Sequence, residues 1–246
     1  MHNNYFLSRR SCRSFKAEKI SDELIKEIIL KACKAPTCGN MQLYSVILTK
    51  EPEQLKELSK FHYNQPASTS APLILTICAD FNRFTRWCKI NNADAGYNNF
   101  HSFITAMTDA VIFSQQIATI AELEGLGTCY LGTVTYNSRE ISRLLELPEL
   151  VVPVASLAIG WPKEEGEETS RLPLESIIHD EKYKNYTDRQ IEDIFKVHDE
   201  DPGNKRFIEE NKKENLAQVF AEVRYPRETN EKISETFYNL IKEQGF

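Results

Sequence analysis

The sequence lacks the motifs that carry the common catalytic chemistries. It contains no G-x-S-x-G elbow for a nucleophilic serine and no H-E-x-x-H zinc motif, and its five histidines are isolated. The six cysteines form no C-x-x-C pair, which is typical of a reducing compartment rather than of a disulfide framework. The sequence therefore predicts neither a bound metal nor a catalytic side chain. A bound cofactor that carries the reaction fits that absence.

Excess positive charge and long apolar runs are also absent. The formal net charge of −6 argues against nucleic-acid binding and against a polybasic membrane surface. No apolar run approaches the length of a membrane span, and the mostly polar residues 1–10 do not resemble a signal peptide. We therefore expect a cytoplasmic protein that has no nucleic-acid or membrane partner.

Two glycine pairs fall short of nucleotide-binding motifs. After Gly125 and Gly127, Tyr130 stands where a dinucleotide-binding loop needs its third glycine, and the stretch follows a helix instead of a strand. Gly127 and Gly132 have the spacing of a P-loop, but Thr133 follows where that loop needs a lysine. The sequence therefore predicts neither of these folds.

Hydrophobic patterning predicts a mixed fold with four strands. The expected strands lie at residues 45–49, 73–79, 128–131 and 151–159, and the expected helices at 21–33, 52–61, 101–124 and 137–145. Residues 81–99 have no sustained period and are expected to form a loop or a broken helix. From about residue 180 the chain becomes polar and helical. With no internal repeat or linker, we expect one domain with a helical C-terminal extension.

The helix predicted at 101–124 has apolar or small residues on every face. Its 24 residues contain no proline or glycine and would span about 36 Å. A helix without a polar side is usually buried all round, and a domain of this size seldom supplies so much cover. A second copy of the chain would supply it, although a core helix of a monomer remains the alternative.

Two polar stretches are candidates for binding a small molecule. Arg9, Arg10 and Arg13 surround Ser11, and guanidinium forks beside a hydroxyl suit a phosphate. In the second stretch, 35–42, two carboxamides offer donors and acceptors to the edge of a flat heterocycle. The alternative is that the arginines lie on a solvated surface and that the second stretch is only a turn.

These two stretches, at this separation, resemble the start of the FMN-dependent nitroreductase family. Further motifs follow in the order seen in one branch, at Cys78–Arg83, Gly125–Gly127, Tyr130–Gly132, Leu144–Pro148, Gly160–Pro162, Arg171–Pro173 and Gln244–Phe246. That branch holds oxygen-insensitive, NADPH-preferring nitroreductases and NADPH–flavin oxidoreductases. The resemblance covers nearly the whole chain, and its specificity lies in the order of the motifs.

The resemblance implies an α+β fold of the nitroreductase type. It would have three α/β/α layers, a central, mostly antiparallel sheet, and a long buried helix at the interface of a homodimer. Residues 1–180 would form the FMN-binding core, and 181–246 a helical C-terminal extension of the same domain that wraps the core or the partner subunit.

The resemblance also implies which residues bind FMN. Arg13 would lie near the pyrimidine end of the ring and stabilise the negative charge that builds there on reduction. The phosphate, the ribityl chain and the rest of the ring would contact Arg9, Arg10, Ser11, Arg171, Thr37, Asn40, Gln42, Gln65, Gly132 and Thr133. Met41 would be a weaker substrate contact.

One motif departs from the pattern of the branch, and another does not decide between NADPH and NADH. Thr169 stands where the branch has a lysine before Arg171, so one phosphate cation is missing. Lys205 and Arg206 lie where the branch recognises the NADPH 2′-phosphate on a mobile loop, but the acidic run 199–201 beside them would oppose an anion. The reductant is therefore expected to be NADPH or NADH.

The expected function is a two-electron oxidoreductase. It would pass electrons from NAD(P)H to small-molecule acceptors such as nitroaromatics, quinones or free flavin by a ping-pong mechanism. Two alternatives are a protein that binds or stores flavin without turnover, and a family member that uses FMN for another reduction such as dehalogenation.

Overall fold

The computed structural model describes residues 3–246, and a four-stranded antiparallel sheet lies at its centre. The strands are β1 (Tyr44–Thr49), β2 (Leu73–Asp80), β3 (Gly127–Tyr130) and β4 (Val151–Gly160), in the order β1-β2-β4-β3. The helices are α1 (Asn3–Ser8), α2 (Asp22–Ala32), α3 (Pro52–Phe61), α4 (Pro66–Ser70), α5 (Asn82–Ile90), α6 (Phe100–Leu123), α7 (Ser138–Leu144), α8 (Asp188–Asp199), α9 (Pro202–Glu210), α10 (Leu216–Gln218, continued by a π-helical turn at Val219–Arg224) and α11 (Arg227–Glu243). Short 3₁₀ turns lie at Cys38–Asn40, Gly132–Val134 and Leu174–Ser176.

Strand β2 is buried along its whole length because helices cover both faces of the sheet. Leu73, Leu75 and Ile77 point to the face packed by α2 and α6, whereas Ile74 points to the opposite face, packed by α3, α4 and α7. This alternation follows from the two-residue period of a strand. The result is a helix–sheet–helix arrangement, and the predicted α+β fold class is confirmed.

Helix α6 is covered on one side only. Ten of its residues are buried, most of them against β2 and β4, whereas Ile104, Val111 and Ile112 are 38–48% exposed. The single chain therefore does not bury this helix on every face, and the expected cover by a second copy of the chain stays a prediction. By length and composition alone α6 could cross a membrane, which the sequence analysis did not expect. A helix of a globular core meets the same criteria, and α6 packs on the sheet.

Three local features set the ends and the register of these elements. Ser21 caps α2 by accepting the N–H of Leu24. Strand β4 has an irregular register at Pro153, whose backbone nitrogen cannot donate a hydrogen bond to the neighbouring strand. Helix α7 lies within the predicted range 137–145, and the Asn137 side chain donates to the carbonyl of Phe61 and does not cap the helix.

The chain divides into two compact units. The first runs through Glu167 and includes Ile233–Phe246, and the second is Glu168–Lys232. The predicted boundary at residue 180 stays a prediction. Within the second unit, α8 begins with a capping box at Thr187, and the Ser170 hydroxyl lies 2.8 Å from His198 Nδ1.

Candidate active site

The stretch from Arg9 to Phe15 lies between α1 and α2, beside the edge strand β3. The Cys12 N–H donates to the Thr128 carbonyl at 2.9 Å, and a backbone bridge joins Phe15 to Pro162. Gly127 allows this close approach, because a Cβ there would lie 2.5 Å from Cys12 Cβ. Backbone bonds thus fix the stretch against the sheet, with Cys12 buried and Arg10 and Arg13 exposed.

The three arginines of this stretch differ in their partners. Arg9 pairs with Glu122 at 3.1 Å, and Arg10 pairs with Glu165 at 3.4 Å. Arg13 forms no hydrogen bond or ion pair with the residues that the structure describes. Its guanidinium is therefore the cation of this stretch with the most donors left for a ligand.

Ser11 lies under the acidic turn that follows β4. A Cβ at Gly166 would stand 2.3 Å from the Ser11 carbonyl oxygen, so only glycine fits there. Arg10 also donates to the Gly166 carbonyl, at 3.4 Å. The acidic turn therefore packs on Ser11 through Gly166.

The second stretch forms a tight loop before β1. Gly39, Asn40 and Gln42 all have left-handed backbone, with φ of 54°, 56° and 49°. Such a conformation is rare for residues with a side chain, so other contacts must hold it. The Gln42 amide donates to the Asn40 carbonyl at 2.5 Å and to its side-chain oxygen at 2.8 Å. Met41 is half-buried and packs against the adjoining core.

Two charged side chains outside the loop hold its backbone. Asp109, buried in α6, accepts the Thr37 hydroxyl and the N–H of Cys38 and Leu43. The Thr37 oxygen in turn accepts the Gln42 N–H at 2.9 Å, and Arg83 donates to the Gln42 carbonyl at 2.6 Å. The Thr37 hydroxyl therefore forms its hydrogen bonds within the protein and holds the conformation of the loop.

A third group joins Gln65 to the turn after β3. The Thr133 hydroxyl accepts from the Gln65 amide at 3.3 Å and lies 2.8 Å from His62 Nδ1. Gly132 is exposed, and no atom stands within 4 Å of a Cβ built on it. A flat ring could therefore approach the backbone at this turn.

His62 is fully buried, and burial lowers its pKa to about 4. The low pKa follows from the cost of moving an imidazolium out of water. Its Nε2 has no hydrogen-bond partner among residues 3–246. His62 is thus neutral near pH 7 and holds Thr133 in place.

The remaining predicted residues belong to the second unit. Arg171 is exposed and bonds locally, donating to the Thr169 hydroxyl at 2.6 Å and to its carbonyl at 3.1 Å. Lys205 and Arg206 are exposed on α9, so the predicted mobile loop is a helix here. Asp201 caps that helix by accepting from Gly203 and Asn204, and its carboxylate takes the position where a helix would bind an anion.

The arrangement fits FMN. The exposed Arg13 guanidinium has free donors that suit a phosphate or an anionic ring. The fixed loop presents two carboxamides that suit the edge of a heterocycle, and the open space over Gly132 suits the face of a ring. Residues 3–246 contain no cluster of side chains that could hold a metal ion.

Three residues that support these groups were not predicted from the sequence: His62, Asp109 and Glu122. One signal could have revealed two of them. Asp109 and Glu122 are the two carboxylates of the Phe100–Leu123 segment, which contains no lysine or arginine to pair with them, and a carboxylate in such a helix needs partners. No comparable signal marks His62.

Comparisons with known proteins identify the family of the chain. The model of the nitroreductase family matches residues 7–161, well over half of the chain. The chain belongs to the nitroreductase family.

An FMN reductase [NAD(P)H] of Bacillus subtilis is 36% identical over 182 residues, covering 72% of each chain. An oxygen-insensitive NADPH nitroreductase of Salmonella typhimurium is 29% identical over 175 residues, covering 71% of each. A crystal structure of an oxidoreductase from Bacteroides fragilis superposes with a TM-score of 0.97 at 42% identity and 98% coverage of each chain.

The family match covers one part of the predicted site. All the predicted residues of the first unit, from Arg9 to Thr133, lie within residues 7–161, as do His62, Asp109 and Glu122. Arg171, Lys205 and Arg206 lie beyond it. The second-unit residues therefore rest on the sequence motifs alone.

Proposed function

We propose that this nitroreductase-family enzyme uses FMN to pass two electrons from NAD(P)H to small-molecule acceptors. The observation that carries the proposal is the unpaired state of Arg13 within residues 3–246, beside two arginines that each have a carboxylate partner. An exposed cation without a local partner suits a site that receives an anion.

The chain's own residues would hold and orient the cofactor. Arg9, Arg10 and Ser11 would bind the phosphate and ribityl chain, with Arg171 as a further cation. Asn40, Gln42 and Gln65 would contact the edge of the ring, and Gly132 would leave room for its face. Arg13 would stabilise the negative charge of the reduced ring. FMN, when bound, supplies the hydride and electron chemistry that no side chain here provides.

Both substrates would bind beside the FMN, because the chain offers few other reactive groups. With no second cofactor motif and no metal cluster in residues 3–246, NAD(P)H and the acceptor would occupy one site in turn, which gives ping-pong kinetics. Lys205 and Arg206 would favour NADPH, and Met41 would contact substrates. We further propose a soluble, cytoplasmic homodimer built around the exposed face of α6, with no nucleic-acid or membrane partner.

The visible spectrum of the purified protein tests the proposal. A yellow protein whose flavin is released on denaturation, and whose colour bleaches with NAD(P)H without oxygen, is expected. Comparing NADPH with NADH gives the nucleotide preference, and adding a nitroaromatic or quinone should restore the colour. A protein that binds added FMN but is not bleached would support the flavin-storage alternative. A protein that stays colourless with added FMN would contradict the proposal.

A further inference from the structure

Glu122, near the C-terminal end of α6, lies at the centre of a small cluster of donors. Its carboxylate pairs with Arg9 Nη2 at 3.1 Å, accepts the Tyr5 hydroxyl at 2.6 Å, and accepts the Thr128 hydroxyl. The Glu122 side chain is only 8% exposed and that of Arg9 is 26% exposed. This ion pair is more buried than that of Arg10 with Glu165, whose side chains are 36% and 92% exposed.

Glu122 is held independently of Arg9. Thr128 belongs to β3, and its carbonyl accepts the Cys12 N–H, so the residue that bonds Glu122 also fixes the stretch. Tyr5 lies on α1, just before Arg9, and burial together with its bond to Glu122 raises the pKa of Tyr5 to about 12. Its hydroxyl therefore stays protonated and donates throughout the physiological range.

The ion pair with Glu122 leaves some N–H donors of the Arg9 guanidinium free to bind a ligand. A guanidinium has five N–H donors in a rigid fork, and the contact with Glu122 is made by one terminal nitrogen. A buried carboxylate on one side of the fork restricts the rotamers of a side chain that would otherwise lose considerable entropy on binding. The remaining donors then face one direction before a ligand arrives.

We propose that Glu122 is a positioning residue that orients Arg9 for the phosphate of FMN. The inference rests on the proposed function and deepens it. Glu122 does not touch the cofactor in this role. Its negative charge is offset by Arg9 and by the two hydroxyl donors, so it orients the cation without presenting an unpaired charge to the phosphate.

Titration of the flavin-free protein with FMN and with riboflavin tests this role, because the two ligands differ only in the phosphate. The variants are Glu122→Gln and Tyr5→Phe, with Glu124→Gln as the matched control. Glu124 lies two residues further on, is more exposed, and pairs with Lys31 at 2.7 Å. Binding is measured by quenching of flavin fluorescence, and folding by the melting temperature without ligand.

We expect Glu122→Gln to raise the FMN dissociation constant roughly tenfold and that of riboflavin less than twofold. Tyr5→Phe should shift FMN in the same direction by a smaller factor, because Glu122 keeps its contacts with Thr128 and Arg9. Glu124→Gln should leave both ligands unchanged. A tenfold change in FMN alone corresponds to ~1.4 kcal/mol lost at the phosphate.

Three results would overturn the inference. Tighter FMN binding by Glu122→Gln would mean that Glu122 repels the phosphate. An equal loss for FMN and riboflavin in both variants would mean a purely structural role, and unchanged FMN binding would mean no role. Each of these leaves the proposed function intact, whereas failure of the unaltered protein to bind FMN would remove both.

Discussion

The carboxylate of Asp109, buried in the middle of α6, accepts the backbone N–H of Cys38 at 2.9 Å. A core helix thereby fixes a surface loop that contains three left-handed residues. The strain of that loop is offset by bonds to one buried carboxylate, and hydrogen bonds to a charged acceptor are about twice as strong as neutral ones.

Asp109→Asn should lower the free energy of unfolding by about 2–4 kcal/mol, since an amide cannot accept from every donor that faces Asp109. It should also weaken FMN binding, because Asn40 and Gln42 would lose their fixed loop. Urea unfolding and flavin titration measure the two effects. Asp94→Asn, at an exposed carboxylate outside α6, is the matched control and should change neither. Unchanged stability in Asp109→Asn would show that the loop is held by other contacts.

Burial of His62 predicts an acid-dependent stability. At pH values above about 6.5 the imidazole is neutral in both the folded and the unfolded chain. As the pH falls toward 4, the unfolded chain takes up a proton but the folded protein does not, because its pKa is about 4. The free energy of unfolding should therefore fall by about 3 kcal/mol over this window.

Denaturant unfolding at pH 7, 5.5 and 4.5 checks this dependence, with His62→Gln as the variant. The variant should lose less stability between pH 7 and 4.5 than the unaltered protein does. His101→Gln, at an exposed histidine, should keep the full dependence. The same pH profile in all three proteins would assign the acid sensitivity to other groups.

Arg13→Ala should raise the FMN dissociation constant roughly tenfold or more, because a charge-assisted hydrogen bond contributes about 1.5–3 kcal/mol. It should also slow the reduction of the bound flavin by NADPH, since positive charge near the reduced ring is lost. Lys16→Ala removes an exposed cation three residues further on and should have little effect. Stopped-flow bleaching measures the rate, and equal effects of the two variants would contradict a specific role for Arg13.

The dimer predicted around α6 can be tested on its exposed face. The core residue Ala110 is fully buried within the chain, so a charge there would disrupt folding rather than assembly. Val111→Asp places a charge on a residue that is 48% exposed, and it should convert dimers to monomers and weaken flavin binding. Trp87→Asp, at a residue 59% exposed on α5, is the control. Light scattering at micromolar concentration measures the mass, and a monomeric unaltered protein that holds FMN would rule the dimer out.

Replacing Lys205 and Arg206 together with Ala should raise the Michaelis constant for NADPH roughly tenfold and that for NADH less than twofold. The reason is that only NADPH carries a 2′-phosphate for these cations to bind. The pair Lys182→Ala and Lys184→Ala removes two charges from the same unit and serves as the control. Equal increases in the Michaelis constants for NADPH and NADH would contradict the role of Lys205 and Arg206 in binding the 2′-phosphate, but would not contradict the proposed flavin site.

Periodicity alone predicted much of the fold. The helix at 52–61 was predicted with its observed bounds, and each strand was predicted within one residue of its observed ends. These elements have strong internal patterns and clear end signals. The predicted loop or broken helix at 81–99 contains α5, whose short, aromatic-rich pattern is held by contacts such as Phe84 with Tyr97.

The support of the candidate site was harder to predict, because it depends on contacts between distant segments. Glu122 and Arg9 are 113 positions apart, and His62 and Thr133 are 71 positions apart. No local pattern encodes such pairs. The loop at 37–42 shows the same limit, since glycine predicts one left-handed residue but not those at Asn40 and Gln42.

The two carboxylates of α6 stand thirteen positions apart, which is about 20 Å along a helix. Asp109 holds the loop that carries Asn40 and Gln42, and Glu122 holds Arg9, the first arginine of the N-terminal stretch. Substitutions separated by this distance, with no shared partner, usually have additive effects on free energy. For protein engineering, the affinity for the cofactor's phosphate and the surroundings of its ring should therefore be two independently adjustable properties of one rigid helix.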